Sequence, residues 1–202
     1  MRSSEVAKDL VKPNLPTSSS TSGPAPVLDA AAIERALRRI AHEIIERNPS
    51  LDSVVLAGIP SRGVAIAQRL AEIIRSLGRG EVQSGAIDVS MHRDDVGIRR
   101  ELPRVQASTL PLPLEGKTVV VVDDVLFTGR TVRAAMDAIG SFGRPARIQL
   151  AALIDRGHRE LPIRPDYVGK NLPTAQDEQV RLQLKEIDGG PDAVWVEKGE
   201  VA

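Results

Sequence analysis

Cysteine is absent from this chain of 202 residues, which excludes disulfides and thiolate chemistry and agrees with a reducing compartment. Aromatic residues are nearly absent too: Trp195, Tyr167, Phe127 and Phe142 are the whole complement. That excludes the stacking platform of an RRM or a typical single-strand binder. Net charge is also lacking, with 27 basic residues against 27 acidic ones. No global field therefore draws the chain to nucleic acid or membrane, and any such binding needs a local patch. No apolar run is long enough to span a bilayer and no signal-peptide apolar region lies near Met1, so a soluble cytoplasmic protein is expected. The length suits one medium domain with a continuous core.

What is present is concentrated in residues 119 to 131, Val-Val-Val-Val-Asp-Asp-Val-Leu-Phe-Thr-Gly-Arg-Thr. The four valines read as a strand buried on both faces, as in a parallel sheet, and Thr131, Val132, Ala135, Met136 and Ile139 open a helical pattern. Asp123 and Asp124 then stand at the carboxyl end of a strand, where open α/β sheets bind ligands. Thr128, Gly129, Arg130 and Thr131 form the turn before the helix, where free N–H groups and the helix dipole favour a phosphate. Gly129 lets the backbone come close, the threonines add hydroxyl donors, and the carboxylates suit sugar hydroxyls. The pattern describes a site for a phosphorylated sugar; as an ordinary strand with a polar turn, it would bury two adjacent acids without a task.

Around this motif the chain organises as follows. Residues 12 to 26 are rich in Ser, Thr and Pro and cannot bury enough apolar surface to offset chain entropy, so residues 1–27 are expected to be a disordered tail preceding a domain over 28–202. Asp29 can cap a helix running to about Arg47 with Ile33, Leu37, Ile40 and Ile44 on one face. Arg35, Arg38, Arg39 and His42 fall on the opposite face as a basic stripe. From the helix alone the stripe reads first as a solvated surface, with Glu46 near the same face, and only second as a binding patch; Arg144 and Arg147, flanking the next strand after a Gly-Arg-Pro turn, could extend it. A second strand over Val54 to Ile59 is followed by Pro60-Ser61-Arg62-Gly63 and an apolar-periodic helix, a turn that on its own is a weak signal. Residues 86 to 91 alternate as a strand. A long charged segment then runs from His92 to Pro113, a length that suggests a lid or a disordered excursion. Ile148 to Ile154 reads as another buried strand, followed by Asp155-Arg156-Gly157-His158-Arg159, and Pro165 to Asn171 reads as a turn.

The run from Val119 to Thr131 resembles the phosphoribosyl pyrophosphate (PRPP) motif of type I phosphoribosyltransferases. The resemblance implies an α/β fold with a central, mainly parallel sheet flanked by helices, a flexible lid loop and a small hood. It implies that Asp123 and Asp124 hold the ribose hydroxyls and that the PRPP contacts include Val125, Leu126, Phe127, Thr128, Gly129, Arg130 and Thr131. Ser61, Arg62 and Gly63 resemble the pyrophosphate-binding loop. Mg²⁺ is expected on the pyrophosphate oxygens, with no metal ligand supplied directly by the protein. Arg93 becomes the lid candidate, closing the site against water, and Arg156 a catalytic candidate near pyrophosphate or base. Tyr167, Val168, Lys170 and Asn171 resemble the base-pocket segment. Purine-specific members usually carry a Lys at the strand end and an aromatic after Val-Gly; Asp155 and Lys170 stand there instead, which turns the expectation towards uracil.

From about Val27 to Val196 the chain is similar to one branch of that family, the pyrimidine-operon regulators that are also uracil phosphoribosyltransferases. Arg39 to Glu43, His92 to Asp95, Gly143 to Pro145 and Asp155 to Arg164 carry this resemblance. It implies uracil plus PRPP giving UMP and pyrophosphate. It also implies a basic surface for a hairpin of the pyrimidine-operon leader mRNA, with binding promoted by UMP or UTP, and a homo-oligomer, dimer or higher. Arg35, Arg38, Arg39, His42, Arg144 and Arg147 are the RNA candidates, although Arg38 stands where a Thr is common. A salvage enzyme without RNA binding, and a nucleotide-sensing regulator with negligible turnover, remain as alternatives.

Overall fold

The computed structural model describes residues 25–92 and 107–199. Residues 1–24 of the expected tail and the lid candidate Arg93 lie outside them. In chain order the elements are β1 (Leu28–Asp29), α1 (Ala30–Arg47), β2 (Val54–Gly58), α2 (Arg62–Ser76), β3 (Gln83–Ala86), β4 (Thr118–Leu126), α3 (Arg130–Gly140), β5 (Arg147–Asp155), β6 (Tyr167–Asn171), β7 (Glu178–Gln183), α4 (Lys185–Asp188) and β8 (Ala193–Lys198). Five strands form a parallel sheet in the order β3-β2-β4-β5-β6. A separate antiparallel sheet, β1-β8-β7, joins the two ends of the domain. Val27 N–H donates to the Val194 carbonyl (2.7 Å) just before β1.

The β4 valines explain the architecture. Val119, Val120, Val121 and Val122 are all fully buried, because β4 is central and covered on both faces. Val120 and Val122 pack with Ile33, Leu37, Ile40, Ile66 and Leu70 of α1 and α2. Val119 and Val121 pack with Val132, Ala135 and Ile139 of α3 and with Leu114. Each such burial is worth roughly 1.5–3 kcal/mol. The cap expected for α1 is present: the Asp29 Oδ1 accepts from Ala32 N–H at 2.7 Å, and Ile33, Leu37, Ile40 and Ile44 are buried.

The acids stand near the carboxyl end of β4, as expected; the strand continues past them to Leu126, because β5 keeps pairing with it as far as Leu126↔Asp155. Two local expectations need correction. Strand β3 ends at Ala86; Asp88 Oδ1 then accepts from Ser90 N–H (2.9 Å) and Ser90 Oγ (2.5 Å) and turns the chain, an Asx-type bond that competes with strand pairing. Residues 167–171 are a strand rather than a turn, paired with β5 from Ala151↔Tyr167 to Asp155↔Asn171.

Candidate functional site

The two acids mark the place where β4 loses one neighbour. Its ladder with β2 ends at Gly58↔Val122, while its ladder with β5 goes on. Into the opened edge comes the 60–63 loop. Ile59 N–H donates to the Val122 carbonyl (2.9 Å), the Pro60–Ser61 peptide is cis, and Gly63 sits so close that a Cβ there would overlap the Val122 carbonyl oxygen. Only glycine permits that approach. The 60–63 loop is thereby brought against Val122 and Asp123 of the strand that leads into the 128–131 turn, at the carboxyl end of a parallel sheet. Asp123 is buried and Asp124 half-buried; Asp123 Oδ1 accepts from Asp124 N–H (3.0 Å), and Asp124 Oδ1 from Val125 N–H (2.9 Å).

Beyond the acids, Leu126 turns its side chain into the core, so any ligand contact there is through its backbone. Phe127 is 37% exposed. Gly129 adopts φ +92°, a conformation natural to glycine, and α3 starts at the next residue. Thr128 Oγ1 accepts from Arg130 N–H (3.3 Å), the Thr128 carbonyl accepts from Glu160 and Leu161 N–H (3.1 and 3.2 Å), and Arg130 Nε donates to Glu160 Oε2 (2.7 Å). Thr131 lies half-buried in the first turn of α3. The loop is therefore built on a platform supplied by the segment after β5.

Arg62 and Arg156 are both engaged. Arg62 Nη2 donates to Asp188 Oδ1 at the end of α4 (2.8 Å). The same Asp188 accepts from Leu184 N–H (2.8 Å), and that backbone bond, with Arg62, holds its carboxyl below the usual range. Arg69, a further α2 residue, pairs with Glu186 and Asp192 (2.5 Å each), so the α4 segment is clamped to α2. Arg156 is buried. Its Nε donates to Thr174 Oγ1 (3.0 Å), and its Nη2 to the carbonyls of Ala175 (3.1 Å) and Glu178 (2.7 Å). Its guanidinium carbon lies 4.1 Å from the centroid of Phe127. Burial lowers its pKa, opposed by Glu178. Beside them opens a cavity of about 450 Å³ lined by Phe127, Arg156, Gly199 and residues 176–179. Nothing in the spacing pointed to residues 176–179; the contact is made across sheets. Phe127 was legible as an aromatic inside the motif, but its exposure was not.

The expected base segment is not at this cavity. Tyr167 is fully buried, at the amino end of β6, and its hydroxyl donates to Gln149 Oε1 (3.0 Å) and accepts from Asn48 Nδ2 (3.1 Å). That is a core position, and the expectation that Tyr167 contacts a base is corrected. Val168, Lys170 and Asn171 instead line a groove of about 510 Å³ together with Arg35 and Arg39. Arg39 donates to the Gly169 and Val168 carbonyls, filling acceptors on the free edge of β6.

The basic stripe is exposed along α1, with Arg35, Arg38, Arg39 and His42 all accessible. Arg38 pairs with Glu34 at 2.9 Å, an exposed helix pair of small energetic weight. Among the described residues Arg35 and His42 have no hydrogen-bond or ionic partner. At the carboxyl end of the same helix, Arg47 and Arg147 line a cleft of about 240 Å³ with Ser50, Ser53 and Thr118. The fold thus brings Arg147 to the end of the stripe. Arg144 is exposed in the preceding turn.

A phosphoribosyl transferase domain matches residues 26–186. The chain is 55% identical over 170 residues to the bifunctional protein PyrR of Roseiflexus sp., covering 84% of this chain and 93% of that one. It is 58% identical over 168 residues to the bifunctional protein PyrR of Chloroflexus aurantiacus, covering 83% and 92%. Among solved structures, a hypoxanthine phosphoribosyltransferase from Staphylococcus aureus superposes with a TM-score of 0.68 at 20% identity, covering 93% of this chain and all of that one; this likeness concerns the fold. No helix among the described residues is long and apolar enough to cross a membrane.

Proposed function

We propose, from the premise that this chain belongs to the phosphoribosyl transferase family and stands among its bifunctional PyrR proteins, that it transfers the phosphoribosyl group of PRPP to uracil and also binds the leader mRNA of a pyrimidine operon in response to uridine nucleotides, in the cytoplasm. The observation that carries the catalytic half is the place of Asp123 and Asp124 on β4, between the 60–63 loop that abuts Val122 and Asp123 where the β2–β4 ladder ends and the glycine-bearing 128–131 turn into which β4 leads.

In this reading Asp123 and Asp124 hold the ribose hydroxyls, and the N–H groups of the 128–131 turn at the start of α3 hold the 5′-phosphate. Ser61, Arg62 and Gly63 border the pyrophosphate, and Arg62 exchanges Asp188 for it. Two adjacent carboxylates beside a phosphate-binding turn suit a Mg²⁺ carried mainly by substrate oxygens, which would supply charge neutralisation on the pyrophosphate. The base lies against Phe127 in the 450 Å³ cavity. Arg156 backs that ring and ties it to the chain at 174–178. Uracil N1 bonds to C1 as the C1–O bond to pyrophosphate breaks, and the N1 proton passes to the departing pyrophosphate or to solvent; the protein contributes positioning and charge, and bulk water is kept from C1.

The regulatory half is supported by the similarity to bifunctional relatives over more than four fifths of the chain and by the α1 stripe with Arg147 at its end. Four aromatic residues in the whole chain leave phosphate contacts and RNA shape as the basis of recognition. The experiment is direct: uracil, PRPP and Mg²⁺ should give UMP and pyrophosphate, and filter binding of a pyrimidine-leader hairpin should tighten when UMP is added. Absence of product removes the enzyme; absence of RNA binding leaves a salvage transferase.

A further inference from the structure

We propose that Arg159 is the positioning residue that sets the phosphate-binding loop, with Asp155 as its anchor; this rests on the reading of residues 128–131 as a phosphate site. The Arg159 side chain is 21% exposed and its Nη2 pairs with Asp155 Oδ2 at 2.6 Å. Its Nη1 donates to the carbonyls of Phe127 (2.7 Å), Gly157 (3.2 Å) and Leu126 (3.4 Å), and its Nε to the Ile163 carbonyl (3.1 Å). The other Asp155 oxygen accepts from Gly157 N–H (3.0 Å). A planar guanidinium with five donors can serve several carbonyls at once, and an ammonium cannot reproduce that fork.

The consequence follows from the peptide plane. In a trans peptide the C=O and the N–H of the same unit point in opposite directions. With the Phe127 carbonyl held by Arg159, the Thr128 N–H is turned away from the 155–163 segment. With the Thr128 carbonyl held by Glu160 and Leu161 N–H, the Gly129 N–H is turned away as well. Neither N–H finds an acceptor among the described residues. Two consecutive unpaired N–H groups in front of a helix make an anion-binding concavity, and here they are aimed from behind. Asp155 gains a purpose in the same geometry. A lysine at that position would face Arg159 with like charge and dismantle the brace.

The test uses the full chain and compares calorimetric binding of UMP with that of uridine, which lacks the phosphate. The unaltered protein binds UMP more tightly than uridine. Arg159→Lys narrows that gap about tenfold, the equivalent of one strong contact, and raises KM for PRPP more than it lowers kcat, while uridine affinity stays unchanged. Asp155→Asn keeps the side-chain size and the acceptor for Gly157, and narrows the gap in part; it decides the matter if Arg159→Lys fails to bind uridine at all. An undiminished UMP–uridine gap in the folded variants would overturn the brace alone. Equal binding of UMP and uridine by the unaltered protein would overturn the phosphate reading beneath it.

Discussion

Replacing Tyr167 by Phe separates two accounts of one residue. As a base contact, Tyr167 would be felt in the KM for uracil. As the core residue seen in the structure, it would be felt in stability alone. The hydroxyl donates to Gln149 Oε1 at 3.0 Å and accepts from Asn48 Nδ2 at 3.1 Å, and burial raises its pKa, so it stays protonated and able to donate at neutral pH. Removing it loses two hydrogen bonds worth about 1 kcal/mol each. The partners are not orphaned, because Asn48 Nδ2 still donates to the Ile44 carbonyl (2.9 Å) and to Gln149 Oε1 (3.1 Å). The loss should therefore stay near 1–2 kcal/mol, well short of the figure for a stranded buried group. For a domain of this size that is a fall in Tm of about 2–8 °C. Thermal and urea unfolding measure the first quantity and steady-state kinetics with varied uracil the second. An unchanged Tm with a raised KM for uracil would refute the assignment of Tyr167 to the core.

Other perturbations bear on the site and the interface. Gly63→Ala should lower kcat/KM for PRPP by at least tenfold, because the new methyl overlaps the Val122 carbonyl oxygen and pushes the 60–63 loop off β4; wild-type kinetics in that variant would remove this loop from the pyrophosphate site. Asp123→Asn and Asp124→Asn should each abolish detectable UMP formation while leaving the fold intact by circular dichroism. Arg35→Ala with His42→Ala should weaken leader binding and flatten the dependence of log K on log salt by roughly one for each phosphate no longer neutralised, with catalysis unaffected; an unchanged slope would move the RNA surface elsewhere. The Asp192 carboxyl is held below its ordinary value of 3.8 chiefly by the hydrogen bond from Arg69. Its depressed pKa means that its stabilisation is complete above that value and is lost as pH falls through the folded one. Asp192→Asn should therefore cost stability at neutral pH and flatten the acid limb of a pH–stability curve; equal acid sensitivity in both proteins would refute the clamp.

Much of this protein is legible in local chemistry. Asp29 announces the start of α1, the α1 apolar spacing announces its buried face, and four consecutive valines announce a central parallel strand, because caps and periodicities act over a few residues. The Asp-Asp pair and the Thr-Gly-Arg-Thr turn carry the ribose-phosphate reading for the same reason. What the sequence could not convey is where pairing stops. Strand β4 runs on through Asp123 and Asp124 only because β5 is longer than β2. Tyr167 sits in the core rather than at a ligand because register with Ala151 puts it at the amino end of β6. Arg62 meets Asp188 across a separation of 126 residues, and Phe127 meets Arg156 and residues 176–179 across two sheets. Such meetings depend on strand order and register, which are properties of the whole packed core. The chain alone thus determined the local chemistry of the Asp-Asp pair and the glycine turn after it; the tertiary structure decided what braces that turn, that Phe127 and Arg156 line one cavity with residues 176–179, and which end of the basic helix gains Arg147.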